Sequence, residues 1–172
     1  MRIIDNFLSE REFVNIKEHM MSVYFPWNYT SFINDNDDPN DMVSTRYFEH
    51  NFYNGVKSQY FHLVRPFLNR LNVDELYRVK ANLFPSTESV REHAFHCDKP
   101  FIPHVGAILY LNTCDGYTLF PDGSKVDSVE NRCLLFDPTK PHASSTCSNA
   151  KARFNINVNY TTLYAEPDIL ED

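Results

Sequence analysis

The stretch that decides the fold reads Arg153-Phe154-Asn155-Ile156-Asn157-Val158-Asn159-Tyr160, a strict alternation of polar and apolar residues. In an extended strand, successive side chains project to opposite faces, so the arginine and the asparagines share one face. Residues 78–84 alternate in the same way, with Arg78, Lys80 and Asn82 on one side. Two interpretations are open. Either the polar face is an ordinary solvent-exposed sheet face, or it lines a ligand cavity while helices cover the apolar face.

Five runs are predicted to be strands because each is short, rich in β-branched or aromatic residues, and bounded by turn residues. They are Tyr77 to Phe84, His104 to Asn112, Tyr117 to Phe120, Arg132 to Phe136 and Ala152 to Tyr160. Helical patterns precede this series of strands. This order predicts a mainly β protein with bracing helices, built as an antiparallel β-sandwich or jelly roll.

Two helical patterns lie before the strands. Ser9 and Glu12 form a capping box that starts the first helix, which we expect to end before Pro26. Its apolar positions at helical spacing are Phe13, Ile16, Met20 and Val23. A second helical stretch is predicted over residues 52–70, with a kink or break at Pro66.

Residues 30–41, between these helices, are polar and acidic. They are predicted to form either a solvated connection or a lid over an active site. The residues that flank this segment could line a substrate groove or pack beneath the loop. They are Trp27, Tyr29, Phe32, Arg46, Tyr47, Phe48 and His50.

The 172 residues are 42% hydrophobic, which fits one globular domain over residues 1–172. We expect residues 1–72 to form a helical support and loop region, and residues 73–165 to form the jelly-roll core. The formal net charge of −7 argues against a broad nucleic-acid-binding surface. The first residues do not form a signal peptide, and no apolar run is long enough for a membrane span. We therefore expect no membrane partner and a cytoplasmic location, in the host cytoplasm if the protein is viral.

The four cysteines show no C-x-x-C spacing, which argues against a zinc ribbon or a thioredoxin-like pair. They are Cys97, Cys114, Cys133 and Cys147. Their even number would permit two disulfides in a secreted protein. Because we expect a reducing cytoplasm, free thiols are the preferred interpretation.

Three potential metal ligands occur in a suggestive order. His96 and Asp98 project to the same side of an extended segment, while Cys97 points away. A His-x-Asp triplet alone is expected by chance in about every second chain of this composition. Here, however, His142 follows a predicted strand and a turn, and Arg153 begins the half-polar strand. Two histidines and one carboxylate can occupy one face of an iron coordination sphere, and an arginine can anchor a carboxylate-bearing cosubstrate beside it.

Residues 78–160 resemble the catalytic core of the 2-oxoglutarate- and Fe(II)-dependent oxygenases, in particular the small prolyl-4-hydroxylase-like enzymes of bacteria and phages. The motifs that carry the resemblance are His96-Cys97-Asp98, Tyr110-Leu111-Asn112, Asp115 to Phe120, and Leu135-Phe136 leading to His142 and Arg153. An opening from Ile3 to Phe7 followed by a helix is also typical of that group. Two features depart from it: the family's Gly-Gly pair appears as Asp115-Gly116, and Arg153 stands where many prolyl hydroxylases have a lysine.

The resemblance implies a double-stranded β-helix, which is a jelly roll of the cupin-like kind. It implies that Fe(II) is bound by His96, Asp98 and His142. It also implies that Arg153 pairs with the distal carboxylate of 2-oxoglutarate, and that Asn82 and Thr118 lie where family members often place cosubstrate-binding groups. With O2 as oxidant, the implied reaction couples decarboxylation of 2-oxoglutarate to succinate with hydroxylation of an unactivated C–H bond.

Family analogy makes a prolyl residue of a peptide or protein the leading substrate, with free amino acids and other small molecules as open alternatives. The competing functional class is a non-enzymatic jelly-roll binding module with Zn2+ or Ni2+ in the same ligands. Arg153 separates the two classes, because a structural metal site has no need of a buried arginine beside open coordination positions.

Overall fold

A computed structural model describes residues 1–31, 46–98 and 104–162 of the chain. Within these ranges the helices are α1 Glu10–Met20 and α2 Arg65–Arg70, and a 3-10 helix, Phe61–Val64, leads directly into α2. The strands are β1 Arg2–Ile4, β2 Asn28–Thr30, β3 Tyr47–Tyr53, β4 Val73–Pro85, β5 Val105–Tyr110, β6 Tyr117–Leu119, β7 Lys125–Asp127, β8 Cys133–Phe136, β9 Ala143–Ser144 and β10 Ala152–Thr162. Residues 163–165 of the predicted core lie outside the described ranges, as does most of the acidic segment 30–41.

The strands form two antiparallel sheets. The larger has the order β1-β8-β5-β10-β4-β3-β2, and the smaller has the order β7-β6-β9. Two isolated bridges, Glu92 to Ser145 and His96 to His142, add the segment 92–96 beside β9. From β1 to β4 in the larger sheet, neighbouring strands are not consecutive in the sequence, as expected when a chain winds back and forth between two facing sheets. The predicted mainly β, jelly-roll fold is confirmed.

The long central strands β4 and β10 carry the alternation seen in the sequence. Their polar residues pair across the two strands as Asn82 with Asn155, Lys80 with Asn157, and Arg78 with Asn159, and Arg153 pairs with Phe84. Arg153, Asn155, Asn159 and Asn82 are all buried. The polar face is therefore enclosed and not solvent-exposed, and it forms the inner face of the jelly roll.

The opposite, apolar face of the large sheet packs against the helices. Its residues join the helices in one buried cluster that includes Phe13, Ile16, Met20, Phe67, Val79, Ala81, Ile156 and Val158. Each fully buried side chain of this kind contributes roughly 1.5–3 kcal/mol. A smaller cluster lies on the inner side and contains Ile108, Tyr110, Val126, Leu134 and Phe136. The inner side of the sheet is thus apolar along β5 and β8 and polar along β10 and β4.

The first helix agrees with the prediction up to its end. The reciprocal capping box of Ser9 and Glu12 is present at its start. The helix ends at Met20, however, and Val23 is 92% exposed instead of continuing the buried stripe. The prediction for Val23 is wrong because a turn follows Met20, so helical spacing no longer applies there.

The predicted second helix over residues 52–70 is mostly wrong. Residues Tyr47–Tyr53 form strand β3, and only Phe61–Val64 and Arg65–Arg70 are helical. Pro66 does not break a helix but occupies its first turn, where its missing N–H costs nothing. The predicted helix overlaps this strand only at Phe52 and Tyr53. The first 72 residues thus also supply β1, β2 and β3 to the large sheet.

Within the part of the chain that the structure describes, no helix is both long enough and apolar enough to cross a membrane.

Candidate functional site

His96, Asp98 and His142 converge at one point between the sheets. The Nε2 atom of His96 lies 3.9 Å from Oδ1 of Asp98, and the Nε2 atom of His142 lies 4.0 Å from Oδ2. One ligand atom from each of the three residues falls within 4.8 Å of the others. Among the described residues, no other group of three or more His, Cys, Asp or Glu side chains is arranged to hold a metal ion. The sequence-predicted ligands are therefore brought together.

Backbone pairing sets this geometry. The His96 N–H donates to the His142 carbonyl at 3.0 Å, and the His142 N–H donates to the His96 carbonyl at 2.9 Å. This reciprocal pair places the two imidazoles side by side, with ring centroids 4.5 Å apart. The Asp98 N–H donates to the Pro138 carbonyl at 2.8 Å. The segment that carries two of the ligands is thus fixed to the segment that precedes the third.

The imidazoles are in the state that metal binding requires. Burial, and after it the neighbouring His142, lower the pKa of His96 to about 4 against the raising effect of Asp98. Burial also lowers the pKa of His142. Nδ1 of His142 lies 3.1 Å from the Lys140 carbonyl, which favours the tautomer that donates from Nδ1 and leaves Nε2 free. Near neutral pH, both Nε2 atoms can therefore act as ligands without first losing a proton.

Asp98 is held by two residues of the inner sheet face that sequence reasoning did not assign to the site. Nη2 of Arg78 donates to Oδ1 of Asp98 at 2.9 Å, and Nδ2 of Asn159 donates to Oδ2 at 3.0 Å. Burial alone would raise the pKa of Asp98, but the charge of Arg78, followed by His142 and the Asn159 hydrogen bond, lowers it to about 2. The carboxylate is therefore ionised, and each of its oxygens is oriented by a donor. The alternation of β4 and β10 was the signal for these residues, because it put both on the inner face.

Arg153 lies on the same inner face, at the other end of β10. Its side chain is fully buried, and its guanidinium stacks near Phe84 and Tyr110 at 5.7 and 5.4 Å from the ring centroids. It donates from Nη1 to the Ser145 carbonyl and from Nη2 to Oγ1 of Thr118, each at 3.2 Å. Among the described residues, no carboxylate pairs with it, and its Nε is buried without a hydrogen-bond partner. A buried cation with an unused donor is able to bind an anionic ligand.

The structure separates the two further positions predicted to bind a cosubstrate. Thr118 is buried and hydrogen-bonded to Arg153, and its Oγ1 also lies 2.7 Å from the Tyr110 hydroxyl. Asn82 is buried too, but its Nδ2 donates to Oδ1 of Asn155 at 2.8 Å. Asn82 and Asn155 form the inward-facing residue pair next to that of Arg153 and Phe84. Thr118 thus belongs to the arginine cluster, whereas Asn82 belongs to the wall between Arg153 and the metal ligands. Tyr110 was quoted in a sequence motif but was not predicted as a site residue.

A charged group lines the wall next to the metal ligands. Nζ of Lys80 lies 3.5 Å from Oε2 of Glu49 and donates to the Tyr47 hydroxyl at 3.2 Å. The Tyr47 hydroxyl donates to the same Glu49 oxygen at 2.8 Å. Burial lowers the pKa of Lys80, and the charge of Arg78 adds to this effect. These residues come from β3 and β4, so the missed strand β3 contributes to the inner wall.

The residues proposed to line a groove beside the acidic segment divide between the two faces of β3. Tyr47 is on the inner face, where its ring stacks on Phe84 at 5.5 Å. His50 faces the helices, where it contacts Phe25 and bonds to the Pro26 carbonyl at 3.0 Å. Trp27 also packs against the helical cluster, and Phe32 lies outside the described residues. Tyr47 alone among these reaches the inner wall by the contacts described.

Comparison with known proteins gives a fold but no sequence relative. No protein-family model matches the chain, and no curated protein matches its sequence. Among solved structures, the chain is similar to a prolyl hydroxylase from Trichoplax adhaerens in complex with a peptide fragment of the hypoxia-inducible factor oxygen degradation domain. The TM-score is 0.65 at 16% identity, over 93% of this chain and 82% of that one.

Two further structures show the same likeness. An oxidoreductase of the 2OG-Fe(II) oxygenase family from Burkholderia pseudomallei has a TM-score of 0.66 at 10% identity, over 92% of this chain and 84% of that one. A non-haem α-ketoglutarate-dependent epimerase from nogalamycin biosynthesis has a TM-score of 0.62 at 11% identity, over 93% and 77%. The chain therefore has the prolyl-hydroxylase-like fold that is shared by 2-oxoglutarate- and Fe(II)-dependent oxygenases.

Proposed function

We propose that this protein is a 2-oxoglutarate- and Fe(II)-dependent oxygenase that hydroxylates an unactivated C–H bond. The observation that carries the proposal is the pairing of two features on one inner sheet face. At one end lies the His96, Asp98 and His142 cluster, and at the other lies Arg153, a fully buried cation that pairs with no carboxylate of the described residues. Such a cation is costly unless an anion binds to it.

The donor set fits Fe(II). Two neutral imidazoles and one ionised carboxylate would hold the ion through Nε2 of His96, Nε2 of His142 and one oxygen of Asp98. Separations of 3.9 and 4.0 Å are wider than the roughly 3 Å expected between neighbouring ligands around an octahedral ion. We therefore expect the three side chains to draw together when a metal binds. This arrangement leaves the opposite side of the ion open, as oxygenases of this kind require.

The surroundings of Arg153 fit a carboxylate. A guanidinium can form two parallel hydrogen bonds to one carboxylate, and here the Nε donor is buried and unused. Thr118 and Tyr110 supply hydroxyl groups at the same place. We assign this cluster to the distal carboxylate of 2-oxoglutarate. Asn82, in the wall between Arg153 and the metal ligands, stays a predicted cosubstrate-binding residue.

When bound, Fe(II) and 2-oxoglutarate supply the oxidising chemistry, in which 2-oxoglutarate gives succinate and CO2 and one oxygen atom of O2 enters the substrate. The chain's own residues supply orientation and exclusion of water. Arg78 and Asn159 keep the Asp98 carboxylate turned towards the two imidazoles. Arg153 fixes one end of the cosubstrate, so that its other end is directed along the polar inner face towards the metal ligands.

The competing proposal, a non-enzymatic metal-binding module, accounts for the three ligands but not for Arg153. A structural metal site gains nothing from a buried cation at the far end of the same face. The ligand set alone does not select iron, since affinity for divalent metals follows the metal more than the site. The arginine cluster therefore favours the oxygenase over the binding module.

For the substrate, we propose a chemical class and no single compound. The similar prolyl hydroxylase from Trichoplax adhaerens is in complex with a peptide fragment. This supports a peptide or protein as the substrate, with a prolyl residue as the proposed site of hydroxylation. The similar epimerase acts in nogalamycin biosynthesis, so the fold by itself does not select the reaction. Small-molecule substrates therefore stay in the proposal beside peptides.

The proposal is tested by succinate formation. Purified protein with Fe(II), 2-oxoglutarate and O2 is supplied with proline-containing peptides, free amino acids and other small metabolites. We expect at least one substrate to increase succinate release and to gain one oxygen atom, detected by mass spectrometry. His96→Ala and Asp98→Ala are the matched controls, and we expect both to abolish substrate-coupled turnover. Release of succinate at the wild-type rate by either variant would contradict the ligand assignment.

A further inference from the structure

Two of the four free cysteines lie together beside Arg153. Cys114 and Cys147 are both buried, at 7% and 0% exposure. Their side chains are close enough that each is the largest influence on the pKa of the other. They are separated by 33 residues in the sequence, counted from their numbers, and come from the segments that adjoin β6 and β9. The function proposed above makes no use of either thiol.

The segments that carry the two thiols are fastened to each other directly next to the sulfur atoms. Asp115 follows Cys114, and its carboxylate accepts hydrogen bonds from the Ser148 N–H at 2.8 Å and from the Ser148 hydroxyl at 2.5 Å. In return, the Asp115 N–H donates to Oδ1 of Asn149 at 2.9 Å. These contacts hold the chain next to Cys114 directly against the chain next to Cys147.

The same segments enclose the arginine. A Cβ atom added to Gly116 would lie 2.7 Å from Cδ of Arg153 and 2.5 Å from the Thr146 carbonyl oxygen, so only glycine fits at this approach. Arg153 also donates to the Ser145 carbonyl. The guanidinium is thus packed against the residue two positions after Cys114 and bonded to the residue two positions before Cys147. A change in the spacing of the two segments cannot leave Arg153 in place.

The surroundings of Cys114 favour its thiolate. The neighbouring Cys147 thiol lowers the pKa of Cys114 to about 6 against the effect of burial, and the Gly116 N–H, Ser128 and the charge of Arg153 act in the same direction. The second thiol behaves oppositely, because the neighbouring Cys114 and burial both raise the pKa of Cys147. One thiol is therefore prepared as a nucleophile, and the other as a resolving thiol that still carries its proton.

We propose that Cys114 and Cys147 are a redox modification site, at which a peroxide converts the two thiols into a disulfide and thereby disturbs the anion site at Arg153. This inference goes beyond the proposed function. Its first part, disulfide formation, does not depend on that function. Its second part, the effect on Arg153, rests on the assignment of Arg153 to a carboxylate ligand.

The chemistry balances in two steps. The Cys114 thiolate attacks one oxygen of hydrogen peroxide, the O–O bond breaks, and the products are the Cys114 sulfenic acid and hydroxide. The Cys147 sulfur then attacks the sulfenic sulfur, the S–O bond breaks, and the Cys147 proton leaves with the hydroxyl group as water. The two thiols lose two electrons in total, and peroxide gains them. Dithiothreitol reverses the change by thiol–disulfide exchange.

Oxidation would change the arginine site in two ways. It removes the negative charge of the thiolate next to Arg153, and it draws the segments around residues 114–116 and 145–147 together. Because Arg153 packs closely against Gly116, we expect the guanidinium to shift and the affinity of the protein for 2-oxoglutarate to fall several-fold. Metal binding by His96, Asp98 and His142 is expected to change much less, because those residues share no hydrogen bond with the two cysteines among the contacts described.

The experiment treats the full chain with hydrogen peroxide and measures mass, free thiols and ligand binding. We expect the intact mass to fall by about 2 Da, as loss of two hydrogens in a disulfide requires. Peptide mapping should show Cys114 joined to Cys147. Calorimetric titration of the Mn(II)-loaded protein with 2-oxoglutarate should then show several-fold weaker binding, restored by dithiothreitol. Cys97→Ser is the matched control, and it should leave the mass change intact. Cys147→Ser should abolish it and leave Cys114 to accumulate oxygen atoms instead.

Three outcomes are informative besides the expected one. If peroxide leaves all four thiols free, or oxidises Cys97 without joining Cys114 to Cys147, the proposed site is refuted. If the disulfide forms and the affinity for 2-oxoglutarate is unchanged, its coupling to Arg153 is refuted. If the disulfide forms but the reduced protein itself binds no 2-oxoglutarate, the redox site is supported and the proposed oxygenase function is contradicted. The peptide map of the wild-type protein shows whether peroxide joins Cys114 to Cys147, even if a cysteine variant fails to fold.

Discussion

Nη2 of Arg78 donates to Oδ1 of Asp98 over 2.9 Å, and Nε of the same guanidinium donates to Oδ1 of Asn159 over 3.2 Å. Asn159 in turn donates to the second oxygen of Asp98. A residue from β4, a residue from β10 and the candidate metal ligand therefore form one closed set of hydrogen bonds. The segment that carries Asp98 is docked through it onto the centre of the large sheet.

Replacing this arginine tests that relationship. We expect Arg78→Met to raise the pKa of Asp98 from about 2 towards its ordinary value, because the largest lowering charge is removed. Breaking a largely buried pair should destabilise the metal-free protein by about 2 kcal/mol at neutral pH. Urea denaturation measures this change. Arg11→Met, on the exposed side of α1, is the control and should change stability by less than about 0.5 kcal/mol. Equal effects of the two substitutions would show that the Arg78–Asp98 pair is energetically neutral.

The stability of the metal-free protein should depend on pH through His96. Its pKa in the folded state is about 4, below the 6.5 of the unfolded group, so the unfolded chain takes up the proton first as the pH falls. The contribution of His96 is therefore fully present above pH 6.5 and is lost as the pH falls towards 4. We expect a loss of roughly 2 kcal/mol from this group, measured by denaturation in the presence of a chelator. His96→Gln should flatten this part of the curve, whereas the exposed control His19→Gln should not.

Removing the buried arginine should weaken cosubstrate binding specifically. We expect Arg153→Ala to raise the 2-oxoglutarate requirement by about an order of magnitude or more, because a charge-assisted double hydrogen bond is lost. Arg153→Lys keeps the charge but lacks the planar guanidinium, so its 2-oxoglutarate requirement should lie between those of the wild type and Arg153→Ala. Half-saturation of turnover or calorimetric titration measures the effect. An unchanged dependence on 2-oxoglutarate in Arg153→Ala would remove this residue from the cosubstrate site.

Gly116 offers a test of the same site that leaves its chemistry untouched. The added methyl group of Gly116→Ala would lie 2.5 Å from the Thr146 carbonyl oxygen and 2.7 Å from Cδ of Arg153. Backbone on one side cannot yield, so we expect Arg153 to move and 2-oxoglutarate binding to weaken several-fold while metal binding persists. Gly55→Ala is the control, since nothing lies within 4 Å of its added methyl group and its positive φ of 74° should affect stability alone. Equal loss of cosubstrate affinity in both variants would exclude the proposed contact.

The fold was largely predictable from the alternation in β4 and β10. That pattern predicts one polar and one apolar sheet face, and it places Arg78, Asn82, Arg153 and Asn159 on the polar face, where the structure has them. Whether that face is wet or enclosed could not be read from two strands, because the answer depends on the smaller sheet that covers it. Strands as short as β9, with two residues, give no periodicity to detect.

Strand β3 was missed for a different reason. Its outward residues, His50 and Phe52, pack against the helices, while its inward residue Tyr47 stacks on Phe84. Both faces therefore carry aromatic rings, and the period of two is hidden. Without β3, two residues of the inner wall could not be predicted. They are Glu49 and Tyr47, the partners of Lys80, and both come from this strand.

The candidate ligands could be predicted by spacing, but their supporting residues could not. His96 and Asp98 lie two residues apart in the chain, whereas the Arg78 and Asn159 contacts to Asp98 span 20 and 61 residues. Such contacts depend on which strands become neighbours in the sheet. The proximity of Cys114 to Cys147 likewise results from the pairing of β6 with β9. It could not be predicted from the sequence, because the two cysteines have no C-x-x-C spacing.

The most direct test of the central proposal is an anaerobic titration of 2-oxoglutarate into the Fe(II)-loaded protein, followed by visible absorption. We predict a weak metal-to-ligand charge-transfer band that saturates when one cosubstrate is bound per chain. Asp98→Ala should abolish the band because the metal is lost, and Arg153→Ala should require much more 2-oxoglutarate to produce it. A wild-type protein that binds Fe(II) but develops no band would contradict the oxygenase and favour a non-enzymatic metal-binding module.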